Sequence, residues 1–209
     1  MLEEYYSHER RKLLLLELDK GADLEHPVFG EGRTDRPLIM FIGEAPGKEE
    51  AASGHPFVGK AGKQLDEMLM TAGIARKDVF VTNAVKYRPY KVSKTGSVSN
   101  RTPSLPEVRE GLSLLRQEIE LINPIIIATL GNIPLYSISI LSWENYRLPQ
   151  SVGEIHGTPY SILIGGHVRK LFPLYHPAAS IYNRKLKPVL QEDLINLGKY
   201  ARALEEELN

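Results

Sequence analysis

An apolar run from Leu38 to Ile42 feeds directly into Gly43-Glu44-Ala45-Pro46-Gly47, and a helix-forming stretch opens at Gly59. This order of strand, glycine-rich loop and helix constrains the chain more than any other stretch. It is a unit of an open α/β sheet, and such sheets bind ligands beyond the carboxyl ends of their strands. The loop is a poor phosphate cradle. It holds neither G-x-G-x-x-G nor G-x-x-x-x-G-K-[ST], and it carries Glu44, Glu49 and Glu50. Its glycines let the backbone approach something flat and neutral, and Phe57 offers an apolar face to stack on it.

The rest of the chain extends the same plan. Glu4 to Lys20 reads as a leucine-rich helix ended by Gly21, and Asp23 to Arg36 as a loop. Gly59 to Ala72 reads as a helix stopped at Gly73, and Val79 to Ala84 as a second strand. Lys86 to Thr102 is expected to be a long basic loop, followed by a helix over Leu105 to Leu121 with Pro106 in its first turn. Pro124 to Leu130 is continuously apolar, as a strand buried on both faces would be. A short helix is expected over Ile133 to Leu141, and irregular chain over Ser142 to Gly157. Tyr160 to Ile164 reads as a strand or hairpin arm before Gly165-Gly166, and Lys170 to Tyr175 as the last strand. Lys187 to Leu208 is a long helix whose apolar face is Leu190, Leu194, Leu197, Ala201, Leu204 and Leu208. Strands alternating with helices make the class α/β with a mainly parallel sheet. The 209 residues suit a single domain, with an N-terminal helix and loop over residues 1–36 and the α/β core over 37–209. Glu44, Asn83 and His176 each fall just past a strand end, so the pattern alone sets them on one rim of one sheet.

Net charge is zero, so no global field draws this chain to a polyanion. Two stretches are nevertheless basic and free of acids. Val79 to Pro106 carries Lys86, Arg88, Lys91, Lys94 and Arg101, and Ile155 to Gln191 carries Arg169, Lys170, Arg184, Lys185 and Lys187. Such stretches suit phosphate contacts, and they equally suit solvated loops. The chain has no cysteine, which excludes disulfides, thiolate catalysis and cysteine-held clusters. No signal peptide is legible, and Leu13 to Leu16 is far too short an apolar run to cross a bilayer. A soluble, cytoplasmic protein is expected.

GEAPG followed by GHPFVGKAG resembles the first motif of the family 4 uracil-DNA glycosylases. Three later segments agree in order: Thr82-Asn83-Ala84-Val85-Lys86, Asn100-Arg101-Thr102-Pro103 and His176-Pro177-Ala178-Ala179. The similarity runs from about Leu38 to Leu194. It implies a three-layer α/β/α fold around a central, mainly parallel four-stranded sheet. It also implies DNA containing uracil as the partner, and a target base flipped out of the stack into a pocket. Phe57 would cover the face of the base, with Ala45 and Glu50 beside it. The Asn83 amide, with one acceptor and two donors, can pair with uracil N3–H and O4 together. Cytosine reverses both groups. His176 would donate to O2 and stabilise the anion that leaves when the N-glycosidic bond breaks. Glu44 is assigned to positioning water and the cationic sugar. Ser180 and Arg184 are expected on phosphates, with Ile181 or Tyr182 as a wedge filling the space left by the base. Lys86, Arg88 and Arg101 are expected to contact DNA.

The chain also departs from that family. Family 4 enzymes typically hold an iron–sulfur cluster on four cysteines, and those positions fall near Leu15, Leu18, Tyr87 and Gly111 or Leu112. Apolar packing by the leucine-rich first helix is the expected replacement, and no metal or redox cofactor is required. Lys91 to Ser99 is an insertion without histidine, which argues against covalent trapping of the abasic sugar there. The expected activity is a monofunctional glycosylase, acting as a monomer, that hydrolyses uracil from DNA. Lys86, close after Asn83, is the one lysine that could argue for a lyase instead. Two other readings stay open: a non-catalytic DNA-binding protein on the same fold, and a glycosylase for another deaminated base.

Overall fold

The structure, a computed structural model, describes residues 1–10, 27–142 and 151–208. Residues 2–10 form the start of helix α1; the rest of the expected first helix, with Leu15 and Leu18, lies outside the described residues. The chain then forms β1 (Glu31–Gly32), β2 (Ile39–Gly43), α2 (Lys48–Ser53), α3 (Lys60–Thr71), β3 (Phe80–Asn83) and a hairpin of β4 (Tyr90–Val92) and β5 (Val98–Asn100). There follow α4 (Leu105–Ile122), β6 (Ile126–Leu130), α5 (Asn132–Leu141), α6 (Val152–Ile155), β7 (Tyr160–Ile164), β8 (His167–Leu174), α7 (Ala179–Tyr182) and α8 (Leu186–Leu208).

The main sheet has the order β1-β3-β2-β6-β8-β7. Its four central strands are parallel, and β1 and β7 add antiparallel edges. The expected four-stranded parallel core is present, but the sheet is wider by two strands. Two-residue β1 has too little pattern to be read from sequence. β7 joins β8 through Gly165-Gly166, both with positive φ (61° and 77°), the backbone that a two-residue hairpin turn requires.

Period-two alternation sorts the core into two layers. Ile39 and Phe41 of β2 face Leu65 and Leu69 of α3 and Leu190, Leu194 and Leu197 of α8. Met40 and Ile42 face Leu115 and Ile119 of α4 and Leu135 and Ile138 of α5. Leu190, Leu194, Leu197 and Ala201 of the expected α8 stripe are buried in the first of these layers, with Leu204 packed against them; the Leu208 side chain lies outside the described part. Helix α4 starts as its sequence implies: Ser104 caps it, the Glu107 carboxylate accepts from the Ser104 N–H (2.7 Å) and hydroxyl (2.8 Å), and Pro106 occupies the first turn.

Residues expected to be one loop, 86–102, instead fold back as the β4–β5 hairpin, with Tyr90 opposite Asn100 and Val92 opposite Val98. Its strands are three residues each and mostly polar, so they carry no burial signal. Short helices α2 and α6 also form where loop or irregular chain is expected. Among the described residues no helix is long and apolar enough to cross a membrane.

Phe172, 1% exposed among the α3 and α8 side chains, anchors the first layer. Phe172→Ala is expected to cost about 3–5 kcal/mol, read as a lower urea midpoint at unchanged m-value.

Candidate active site

The parallel strands β2, β3 and β8 deliver Gly43-Glu44, Asn83 and His176 to one rim. A cavity of about 400 Å³ opens there, and its lining includes Ala45, Glu50, Phe57, Asn83, Asn100, His176, Ile181 and Tyr182.

Its floor depends on a glycine. Gly43 lies opposite Asn83 in the β2–β3 register. A Cβ at Gly43 would sit 2.4 Å from Asn83 Oδ1 and 2.6 Å from Phe57 Cζ. The missing side chain is the space in which the amide and the aromatic ring converge. Phe57 itself has φ 58°, a strained backbone for a non-glycine residue. It is held there because α3 has a glycine at its third residue: a Cβ on Gly62 would meet the Phe57 carbonyl oxygen at 1.8 Å. The loop carrying Phe57 is closed by Glu50, which is 9% exposed. One carboxylate oxygen accepts from the Gly47 N–H (3.1 Å) and the other from the Gly59 N–H (2.7 Å). Glu50 lines the cavity and clamps both ends of its loop.

His176 follows β8 and packs over Gly131, whose absent Cβ would lie 3.3 Å from the His176 Cβ. Its Nδ1 accepts from the Ala178 N–H (3.1 Å). A ring nitrogen that accepts carries no proton, so the neutral imidazole holds its hydrogen on Nε2. Burial lowers the His176 pKa from 6.5 to about 4, which keeps the ring neutral at pH 7. The side chain is therefore a neutral donor through Nε2.

Glu44 does not line the cavity. Its carboxyl is partly buried and bonded to the Thr102 side chain; burial raises its pKa, and the Thr102 bond opposes that shift. Ser180 is 5% exposed, donates to the Pro177 carbonyl (2.9 Å) and accepts from Gln64 of α3. It is an internal brace of the His176 loop, not the exposed phosphate contact expected. Ile181 and Tyr182 stand free beyond it, 50% and 90% exposed, and Arg184 is exposed as well.

The expected DNA contacts before α4 are corrected. Lys86 is 3% exposed, with its ammonium bonded to Thr82 Oγ1, the Asn83 carbonyl and Glu118. An amine so enclosed is neither a phosphate contact nor a nucleophile for an abasic sugar. Arg88 is buried and donates to Asn100 Oδ1 (2.7 Å), which turns the hairpin toward the cavity. Arg101 is on the surface but makes a two-pronged bond to Glu107 (2.7 Å each), which holds the Glu107 carboxyl down at about 2. What these three share is an acceptor that a run without acids does not point to. Asn100 opens a motif but is given no role by it, and Glu118 carries no sequence signal of its own, being one of several acids on α4.

The cysteine positions expected for a cluster hold Tyr87 and Gly111 or Leu112 among the described residues, none of which supplies the thiolate a cluster iron needs. Gly111 instead lets α4 press on the β3 loop, since a Cβ there would meet the Ala84 carbonyl at 2.4 Å. The residues present do not fit a cluster, and among the described residues no group of His, Cys, Asp and Glu could hold a metal ion.

A flat pocket at the carboxyl rim, with an amide, an aromatic face and a neutral imidazole donor, defines a site for a planar, hydrogen-bonding base. Comparison with known proteins agrees. The description "Uracil DNA glycosylase superfamily" matches residues 29–197, and the chain belongs to that superfamily. It is 41% identical over 170 residues to the type-4 uracil-DNA glycosylase of Saccharolobus solfataricus, covering 81% of this chain and 73% of that one. Against the type-4 enzyme of Thermotoga maritima it is 37% identical, covering 80% and 79%. The crystal structure of Pedobacter heparinus SMUG2 shares the fold, with a TM-score of 0.51 at 14% identity over 83% of this chain and 77% of that one.

The His176 shift has a measurable sign. Between pH 6.5 and about 4 the unfolded chain binds a proton that the native ring refuses. Stability therefore falls as pH drops through that window and loses nothing more to this residue below it. An NMR titration of the ring is expected to show a midpoint near 4, and His176→Gln should lack this part of the acid destabilisation.

Proposed function

We propose that this chain is a monofunctional uracil-DNA glycosylase that hydrolyses the N-glycosidic bond of a uracil flipped from DNA. The observation that carries this reading is the meeting of Asn83, Phe57 and His176, whose imidazole is neutral, in the lining of one cavity. Its relatives named type-4 uracil-DNA glycosylases, at 35–41% identity over about four fifths of the chain, support it.

In this reading Phe57 covers the base and Asn83 takes N3–H and O4. His176 donates to O2, where negative charge grows as the bond to the sugar breaks. A neutral donor is already in place and needs no proton transfer to act, which is electrostatic stabilisation of a leaving anion. Ala45 leaves room above the base for water. Glu44, beside the cavity, supplies negative charge near the cationic sugar. Exposed Ile181 and Tyr182 are the wedge, with Arg184 on phosphate. The enclosure of the Lys86 amine supports hydrolysis without a Schiff base. The reading takes the chain as a monomer in the cytoplasm.

The test is alkali cleavage of labelled oligonucleotides carrying one uracil. Release is expected from the native protein, with a fall of about a hundredfold or more in His176→Ala and a loss at least as large in Asn83→Ala. Tyr182→Ala is expected to slow release from duplex more than from single strands. No release by folded protein that still binds DNA would leave a non-catalytic DNA-binding protein, and release of a different deaminated base would move the substrate.

The pH profile follows from Glu44. Its raised pKa means the carboxylate is lost, as pH falls, above the usual carboxylate range. The acid limb of the rate should lie there and should shift down toward the His176 value of about 4 in Glu44→Gln.

A further inference from the structure

Glu118 of α4 is fully buried, with Lys86 of the β3 loop beside it. One Glu118 oxygen accepts from the Tyr6 hydroxyl (2.6 Å) and the Gly30 N–H (3.3 Å). The other accepts from the Thr82 hydroxyl (2.8 Å) and from Lys86 Nζ. The lysine's remaining bonds go to Thr82 Oγ1 (2.6 Å) and to the Asn83 carbonyl (2.7 Å).

The last bond has a reason in the sheet. On the side of β3 away from β2, strand β1 pairs only with Phe80 and Val81. The Asn83 carbonyl lies beyond it, at the end of β3, where a backbone acceptor left buried and unpaired would be costly. An ammonium with three donors can serve that carbonyl, a hydroxyl and a carboxylate at once.

Such a pair is a poor choice for stability alone. Removing two charges from water is expensive, and a well-packed apolar pair of similar volume often folds as well or better. Here the pair stands at the one residue whose amide orientation decides which base fits. We propose that Lys86 and Glu118 are positioning residues for base selection: together they hold the end of β3 so that the Asn83 amide meets the base at the correct register. The proposal rests on the reading of Asn83 as the base-pairing residue. It links α1, α4 and the Val28 to Gly30 segment to the pocket through one carboxylate. Two helices and one loop distant from the chemistry thereby set the position of one amide.

The experiment compares the native full chain with Lys86→Met/Glu118→Leu, which removes both charges and leaves neither unpaired. Three quantities are measured: the thermal midpoint, single-turnover release from a uracil-containing single strand, and inhibition by free uracil. The double variant leaves the Asn83 carbonyl, the Gly30 N–H and the Tyr6 and Thr82 hydroxyls without these partners, so it is expected to unfold at a lower midpoint. Release and inhibition are compared at a temperature where it is folded and binds undamaged DNA as the native protein does. Its release rate should fall about 10- to 100-fold, the effect of a small misplacement of a reacting group. Its inhibition constant for free uracil should rise by a similar factor. A purely structural pair would not move either quantity once the fold is retained. A folded double variant with native rate and native uracil affinity overturns the proposal. Should the double variant fail to fold, Lys86→Met keeps the Glu118 bonds to Tyr6, Gly30 and Thr82 and removes the donor to the Asn83 carbonyl; native values of both readouts in it overturn the proposal equally. Absence of release by the native protein counts against the glycosylase reading, and uracil binding, followed by NMR, still reports on the pair.

Discussion

Parallel pairing of β2 with β3, with Gly43 opposite Asn83, is the contact from which the cavity is built. The Ala84 N–H donates to the Gly43 carbonyl (2.8 Å) and the Val85 N–H to the Glu44 carbonyl (3.1 Å), so the ladder runs past the last strand residues into both loops. That continuation fixes where the two loops diverge. A one-residue slip would turn the Asn83 side chain to the other face of the sheet. Everything else at the rim is arranged around that point: Phe57 above a missing Cβ, Glu50 closing the loop that carries it, and His176 entering from β8.

The site is held by buried polar groups that each have more than one partner. Glu50 gives an oxygen to each end of its loop, and Glu118 gives both of its oxygens to four segments. Arg88 binds Asn100, and Ser180 binds both Gln64 and its own loop. Such networks are costly when half satisfied and directional when complete. Their geometry matters because a flat base offers few handles beyond the direction of its hydrogen bonds. Among the described residues, Ile181 and Tyr182 stand exposed at the cavity rim outside these networks.

Much of this arrangement is legible in the sequence. The apolar run of Leu38 to Ile42, the stripe on α8 and Pro106 in the first turn of α4 are local patterns, and each maps to the element it implies. Of the residues set past strand ends, Asn83 and His176 line the cavity with Phe57 of the intervening loop, and Glu44 does not. Sequence reasoning fails at the cations. Lys86, Arg88 and Arg101 look alike in a run without acids, but their acceptors, Glu118, Asn100 and Glu107, are set by folding, and only the first lies far along the chain. The β4–β5 hairpin is not legible because three-residue polar strands carry no burial period. The edge strand β1 is not legible because it is two residues long, whereas β7 falls on the Tyr160 to Ile164 strand that the sequence implies.

The amino-acid sequence by itself determined the alternation of strands and helices, the parallel core and the rim on which the chemistry sits. These follow from periodicity and from the rule that strand ends in such sheets are shared. Only the tertiary structure decided which polar residues face the cavity and which face inward. It enclosed Lys86, turned Glu50 into a clamp, kept Glu44 out of the lining and left His176 neutral with its proton on Nε2. Burial and the identity of a partner distant in sequence set the charge, the tautomer and the direction of a side chain, and neither is a local property of the chain.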